Sequence, residues 1–158
     1  MKYKPNWVSI ICLLLLIAIL SVHNGYSLGT WNRINHIMVA KYGWSKQEQT
    51  FYEAFIGNTA VLGMIIGRLI GSPLVNKGRF CCIIISAIVM MFAISIMLVL
   101  NIYTFLLGRL IYGIGAGLFF ASGPRYIEEC SPPQLFSLFY TLYALGVALN
   151  RPILLLAA

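Results

Sequence analysis

The chain has 158 residues, of which 60% are hydrophobic and only 9% are charged. Soluble domains carry about 25% charged residues, so this composition excludes an ordinary soluble domain or enzyme. The formal net charge is +7, but the basic residues are scattered singly and form no stripe that would bind nucleic acid. The composition therefore predicts an all-α membrane protein, a polytopic helix bundle surrounded by the lipid bilayer.

Five apolar segments are long enough to cross a bilayer, which takes about 20 helical residues. They cover residues 7–28, 54–75, 80–100, 104–126 and 135–158, and we predict that they form a single transmembrane domain over residues 1–158. Basic residues precede the first segment, but no small-residue cleavage site follows it, so we interpret it as a retained helix rather than a signal peptide.

Lysine and arginine in the connections favour a cytoplasmic N-terminus. With that orientation the cytoplasmic side holds Lys2, Lys4, Lys77, Arg79 and Arg125, and the opposite side holds Arg33, Lys41 and Lys46. We therefore expect a multi-pass protein, with the plasma membrane as its location.

Glycines recur at four-residue intervals in two of the predicted helices. Gly63, Gly67 and Gly71 share one face of the second helix, and Gly113 and Gly117 share one face of the fourth. A phosphate-binding loop is improbable because no strand precedes residues 113–117 and no Gly-Lys-Ser/Thr follows them. In lipid, small residues let helix backbones approach closely. We predict that these five glycines pack helices together.

Groups suited to catalysis or metal binding do not converge in the sequence. No Ser/His/acid or Cys/His arrangement is present, and the four cysteines lack metal-ligand spacing. We therefore expect no enzymatic activity, no metal and no cofactor. The first, second, third and fifth predicted helices contain no acidic residue, and Glu129 lies at the end of the fourth. Because proton-coupled carriers need an ionisable group within the membrane domain, we expect no proton coupling through this segment.

Two arginines lie within apolar segments. A charge at the bilayer centre costs about 2.5–3.5 kcal/mol on insertion scales, so Arg68 and Arg109 each need an explanation. Their long side chains could reach the interface and anchor the helices there. They could also form a charge network or line a polar cavity.

Uncharged hydrogen-bonding groups on the predicted helices suit a polyol or a sugar, whose hydroxyls need both donors and acceptors. The candidate solute-binding residues are Asn24, Ser27, Asn32 and Tyr143. The alternative is that tyrosines form interfacial belts and asparagines bond between helices.

Three motifs resemble those of one membrane protein family. The first motif begins in the fourth segment with Gly108-Arg109 and Gly113-x-Gly-x-Gly117, and it continues past the end of that segment with Pro124-x-Tyr126-Ile127-x-Glu129-x-x-Pro132. The second motif, Gly25-Tyr26-Ser27-x-Gly29-x-x-Asn32, begins at the end of the first segment, and the third is the turn after the second segment, Asn76-Lys77-Gly78-Arg79. Their order and separation resemble the sugar transporters of the major facilitator superfamily.

The resemblance implies a fold of twelve helices in two halves, with a sugar site between the halves and alternating access by rocking. The chain would then be a fragment, a partial N-terminal half with about five of the twelve helices, and incomplete for transport by itself. The resemblance also implies that Asn76, Lys77, Arg79, Arg109 and Glu129 belong to a charge network that gates the carrier.

Two functional hypotheses remain open. The first is a transporter-like protein resembling facilitative carriers of a hexose or a related neutral solute. The alternative is a non-transporting structural or regulatory component derived from such a carrier, packed against partner membrane helices. Phe136 and Ala144 favour the alternative, because the resemblance places an arginine and a sugar-binding glutamine at these two positions.

Overall fold

The computed structural model describes residues 34–99, 101–131 and 135–145. These parts form helices and contain no strand: α1 (34–42), α2 (Lys46–Val75), α3 (Arg79–Met97), α4 (Ile102–Cys130) and α5 (Phe136–Leu145). Helices α2, α3 and α4 are long and apolar enough to cross a membrane. The prediction of an all-α membrane helix bundle is confirmed. The predicted span 7–28, and the part of the last span beyond residue 145, lie outside the described residues.

The chain divides into two compact units, and the boundary falls within α4. One unit contains α1, α2, α3 and α4 as far as Gly123. The other includes α4 from Pro124 onward together with α5.

Helix α2 begins at Lys46 rather than at the predicted residue 54. Ser45 caps it, since the Ser45 Oγ accepts from the Glu48 N–H at 3.4 Å and the Glu48 carboxylate accepts from the Ser45 N–H at 2.9 Å. This reciprocal pair is a capping box, which satisfies two otherwise unpaired donors at the helix start. The preceding turn uses Gly43 at a φ of 64°, a conformation that suits glycine. Because α2 begins here, it includes Glu48 and Glu53, and the expectation of an acid-free second helix is wrong.

A short turn joins α2 to α3. The backbone N–H groups of Asn76, the C-cap of α2, and of Lys77 both donate to the Leu74 carbonyl. Gly78 is the N-cap of α3, and its carbonyl accepts from the Cys82 N–H at 3.1 Å. The turn therefore forces α2 and α3 into an antiparallel hairpin.

Helix α4 continues through Pro124 to Cys130, past the predicted end at residue 126. Proline has no N–H and so removes one hydrogen bond from the helix interior. Membrane helices tolerate this loss where neighbouring groups compensate. The proline is thus a position inside α4 rather than its terminus.

Helix α4 is the most buried of the three long helices. In its apolar stretch of 18 residues, 56% is buried, compared with 28% in the corresponding stretches of α2 and α3. Gly63, Gly67 and Gly71 of α2 lie successively against residues from 110 to 121 of α4, so these two helices run parallel. Gly108 and Gly115 of α4 lie against residues 97 to 86 of α3 in descending order, so α3 is antiparallel to α4.

Two apolar clusters lie at opposite ends of this unit. Met38, Ile56 and Phe105 form the first, where α1, the start of α2 and the start of α4 meet. Val75, Cys82 and Leu118 form the second, beside the turn between α2 and α3. Each cluster joins three helices or helix ends, so each end of the hairpin is held by apolar burial.

Candidate functional site

The α2–α4 contact is built on glycines. A Cβ atom at Gly63 would lie 2.9 Å from the Cα of Gly113, and it would also collide with the Leu110 carbonyl oxygen. A Cβ at Gly117 would lie 2.9 Å from the Cα of Gly67. Only hydrogen side chains allow this approach, which brings the two helix backbones into direct van der Waals contact.

A second small-residue surface of α4 faces α3, and the sequence interpretation missed it. A Cβ at Gly108 would lie 3.1 Å from the Ala93 carbonyl oxygen, and a Cβ at Gly115 would lie 3.1 Å from that of Ser86. The signal was the seven-residue separation, which places Gly108 and Gly115 on one helix face. Helix α4 is therefore held closely on two sides.

Arg109 lies inside the bundle. It is 2% exposed, and its guanidinium lies over the Phe105 ring with Cζ 5.6 Å from the ring centroid. The register with α2 places residue 109 near the level of Ala60, whereas Lys77 lies about 25 Å further along that axis. The structure therefore does not bring Arg109 together with the basic turn.

Arg68 has a different environment. It is exposed on α2, and its Cζ lies 5.8 Å from the centroid of the Phe120 ring on α4. A cation over an aromatic face is attracted by the ring's electrons. The two arginines within the apolar segments thus differ: Arg109 is an interior group and Arg68 is a peripheral one.

The basic turn has the exposure expected of a charged surface. Asn76 and Lys77 are exposed, and Arg79 is half-buried at the start of α3. In the other unit, Glu129 is exposed near the end of α4. Tyr143 of α5 is 6% exposed, with its ring 6.2 Å from that of Tyr140. The candidate solute-binding residues Asn24, Ser27 and Asn32 lie outside the described residues.

A polar cluster lies where α1 meets α2, and the sequence interpretation missed it as well. The Oε1 atom of Glu53 accepts hydrogen bonds from Asn35 Nδ2 and, at 3.0 Å, from Gln49 Nε2. Gln49 and Glu53 are four residues apart, so they share a face of α2. Asn35 reaches them from α1 and is only 6% exposed. The signal was the capping box, which would have placed Gln49 and Glu53 within a helix.

The described part of the chain contains no group of three or more His, Cys, Asp or Glu side chains that could hold a metal ion. What these residues can do is bind through hydrogen bonds. Amide and carboxylate groups lie at one end of the unit, a buried guanidinium lies about two helical turns further along, and a basic turn lies at the other end.

Comparison with known proteins identifies similar chains. The hexose transporter 1 of Toxoplasma gondii is 26% identical over 149 residues, which cover 87% of this chain and 26% of that protein. The hexose transporter 1 of Plasmodium vivax is 28% identical over 112 residues, covering 66% of this chain and 22% of that protein. The monosaccharide-sensing protein 2 of Arabidopsis thaliana is 36% identical over 96 residues, covering 54% and 13% respectively.

The chain spans about a quarter of the length of the hexose transporters it matches. No solved structure matches it significantly. The family model described as sugar (and other) transporter matches residues 13–151, which is most of the chain. The three transmembrane helices and this match together show that the chain belongs to the sugar transporter family of the major facilitator superfamily.

Proposed function

We propose that this chain forms part of a carrier that moves a hexose or a related neutral solute across a membrane. One observation carries the proposal. The α4 residues that match the sugar-transporter motif are all buried at helix contacts or inside the bundle: Gly108, Arg109, Gly113 and Gly117. The names of the Toxoplasma and Plasmodium relatives support a hexose as the solute.

Close packing suits such a role physically. A carrier that works by rocking moves groups of helices as rigid bodies around a fixed solute site. Glycine contacts on two sides of α4 make α2, α3 and α4 difficult to separate, so they would move together. Asn24, Ser27, Asn32 and Tyr143 would hydrogen-bond the solute hydroxyls, since such uncharged groups both donate and accept.

The charged residues would control the conformational change. In this proposal Asn76, Lys77 and Arg79 lie at the cytoplasmic side with Glu129, and their attraction holds one state of the carrier. A cytoplasmic N-terminus and a plasma membrane location complete the proposal. Arg109 lies in the interior, so its role would be to shape a polar wall near Phe105.

Two residues of α5 favour a second candidate function. The Phe136 ring lies tilted against the Tyr140 ring with the two centroids 6.1 Å apart, and Ala144 is exposed. Neither offers the polar group that a sugar carrier of this family would place there. A structural or regulatory membrane component, packed against partner helices, would not need those groups.

Reconstitution of the complete carrier that contains this chain into proteoliposomes tests the proposal. We expect saturable uptake or binding of D-glucose in preference to L-glucose, because a hydrogen-bonding site reads hydroxyl stereochemistry. Lys77→Ala should change the uptake rate, whereas Lys46→Ala removes the same charge at the opposite end of α2 and should leave it unchanged. If the folded protein shows no stereoselective flux and no stereoselective binding, the proposal is contradicted and the second candidate is favoured.

A further inference from the structure

The polar cluster of Asn35, Gln49 and Glu53 has an unmet hydrogen-bonding group. The Asn35 Nδ2 and the Gln49 Nε2 both donate to the Glu53 carboxylate. This fixes the Asn35 amide with its carbonyl oxygen, Oδ1, turned away from Glu53. That oxygen is buried and has no hydrogen-bond partner among the described residues.

A buried acceptor without a donor costs free energy, which a hydrogen-bonding ligand would recover. Rotating the amide by 180° would not solve the problem, because it would point Oδ1 at the Glu53 carboxylate. The group that satisfies Asn35 must therefore be a donor brought from outside the cluster. A solute hydroxyl is such a donor, and like any hydroxyl it can also accept a hydrogen bond.

Aromatic rings lie at the end of α1, in the turn that follows it and on α2. The rings of Trp44 and Tyr52 stack at 4.5 Å, and Tyr42 stacks on Trp44 at 5.6 Å. Tyr52 directly precedes Glu53, and both Trp44 and Tyr52 pack against the apolar cluster of Met38, Ile56 and Phe105. Met38 is three residues from Asn35 and Ile56 is three from Glu53, so the polar and aromatic groups are neighbours. Trp44, Tyr52, Gln49 and Glu53 are each only partly buried.

We propose that Asn35, Gln49 and Glu53 form a binding site for a neutral polyol, with the Trp44–Tyr52 pair as its apolar wall. Aromatic surface with a few converging polar groups is the composition of small-molecule sites in general. The inference rests on the proposed carrier function for the class of solute. None of the site's three polar residues is among the four predicted solute-binding residues.

Fluorescence of Trp44 in lipid nanodiscs tests the site. Trp7→Phe and Trp31→Phe leave Trp44 as the single tryptophan. We expect D-glucose or myo-inositol to produce a saturable fluorescence change, while sodium chloride at matched osmolality produces none. Asn35→Ala and Gln49→Ala should each weaken the apparent affinity about tenfold, the effect of one buried hydrogen bond. Asn58→Ala, an exposed amide on α2, should stay within about twofold.

Size-exclusion profiles and circular dichroism establish that each variant is folded, and Gln49→Ala still tests the site if Asn35→Ala does not fold. Equilibrium binding of radiolabelled D-glucose to the same samples separates the two proposals. Hexose binding that Asn35→Ala and Gln49→Ala leave intact overturns this site and leaves the carrier function standing. A response to sodium ions in place of the polyol also overturns the site. No hexose binding and no flux in the parent protein overturns both proposals.

Discussion

Gly63 of α2 and Gly113 of α4 lie face to face, so that a Cβ atom on either one would lie 2.9 Å from the Cα of the other. The atoms in the way belong to backbone, which cannot rotate aside as a side chain can. The distance between the two helix axes is therefore set by the absence of side chains at these positions. One turn further along, a Cβ at Gly117 would lie 2.9 Å from the Cα of Gly67, so the helices stay in contact over both turns.

Gly113→Ala should destabilise the protein. Its new Cβ would collide with the Ala60 carbonyl oxygen and lie 2.9 Å from the Gly63 Cα, so α2 and α4 would have to move apart. Overpacking of this kind costs about 1–3 kcal/mol. Thermal unfolding in detergent, followed by size-exclusion chromatography of the surviving protein, measures the loss.

Two further glycines serve as controls. Gly57→Ala is expected to be neutral or stabilising, since nothing lies within 4 Å of a Cβ there. Gly115→Ala should cost less than Gly113→Ala, because its nearest obstacle is the flexible Met90 side chain. Equal losses at positions 57 and 113 would show that helix contact is not the cause.

Ser45→Ala should loosen the start of α2. The substitution removes the hydroxyl that accepts from the Glu48 N–H, and loss of such a cap costs about 1 kcal/mol. Hydrogen exchange of the amides of residues 46–50 should accelerate, while amides in the middle of α2 keep their rates. Gln47→Ala is the matched control, because Gln47 is exposed in the same turn. If both variants exchange alike, the capping box has no effect on the helix end.

Adjacent cysteines of α3 should differ in reactivity. Cys81 is exposed, whereas Cys82 is 0% exposed and packs beside Val75 and Leu118. In detergent micelles, N-ethylmaleimide should modify the Cys82→Ser variant at Cys81 faster than it modifies the Cys81→Ser variant at Cys82. Peptide mass spectrometry over a time course measures both rates. Comparable rates at the two positions would contradict the orientation of α3, and unfolding in denaturant should abolish any difference.

Arg109→Ala should be more harmful than Arg68→Ala. The Arg109 side chain is buried over the Phe105 ring, so truncation removes packing as well as charge. We expect a loss of about 1–3 kcal/mol for Arg109→Ala and a loss within about 0.5 kcal/mol for the exposed Arg68. Thermal unfolding of both variants under identical conditions provides the comparison. A larger effect at position 68 would be inconsistent with the buried position of Arg109.

Much of the fold could be predicted because each membrane helix is selected largely by its own hydropathy. The apolar segments 54–75, 80–100 and 104–126 correspond to α2, α3 and α4 in order. The ends of the helices were harder to place, because each helix can continue into polar residues beyond its apolar segment. The Ser45–Glu48 capping box extends α2 into polar sequence, and Pro124 leaves α4 unbroken.

The candidate site could be predicted less well. Motif residues in α4 were identifiable from their spacing, which reflects the small volume needed at a helix contact. The cluster of Asn35, Gln49 and Glu53 was not identifiable, because Asn35 lies 18 positions before Glu53 and on another helix. Whether such residues meet depends on how α1 folds back on α2 after Gly43, a turn that local hydropathy does not encode.

The sequence by itself determined that this is a membrane protein of the sugar transporter family. Transfer into lipid depends on composition within each segment, and the motifs are local in the chain. Only the tertiary structure decided that Gly113 faces Gly63, that Gly115 faces Ser86, and that Arg109 lies inside near Phe105. Those relationships depend on helix rotation and register. Rotation and register arise from the simultaneous packing of three helices rather than from any one of them.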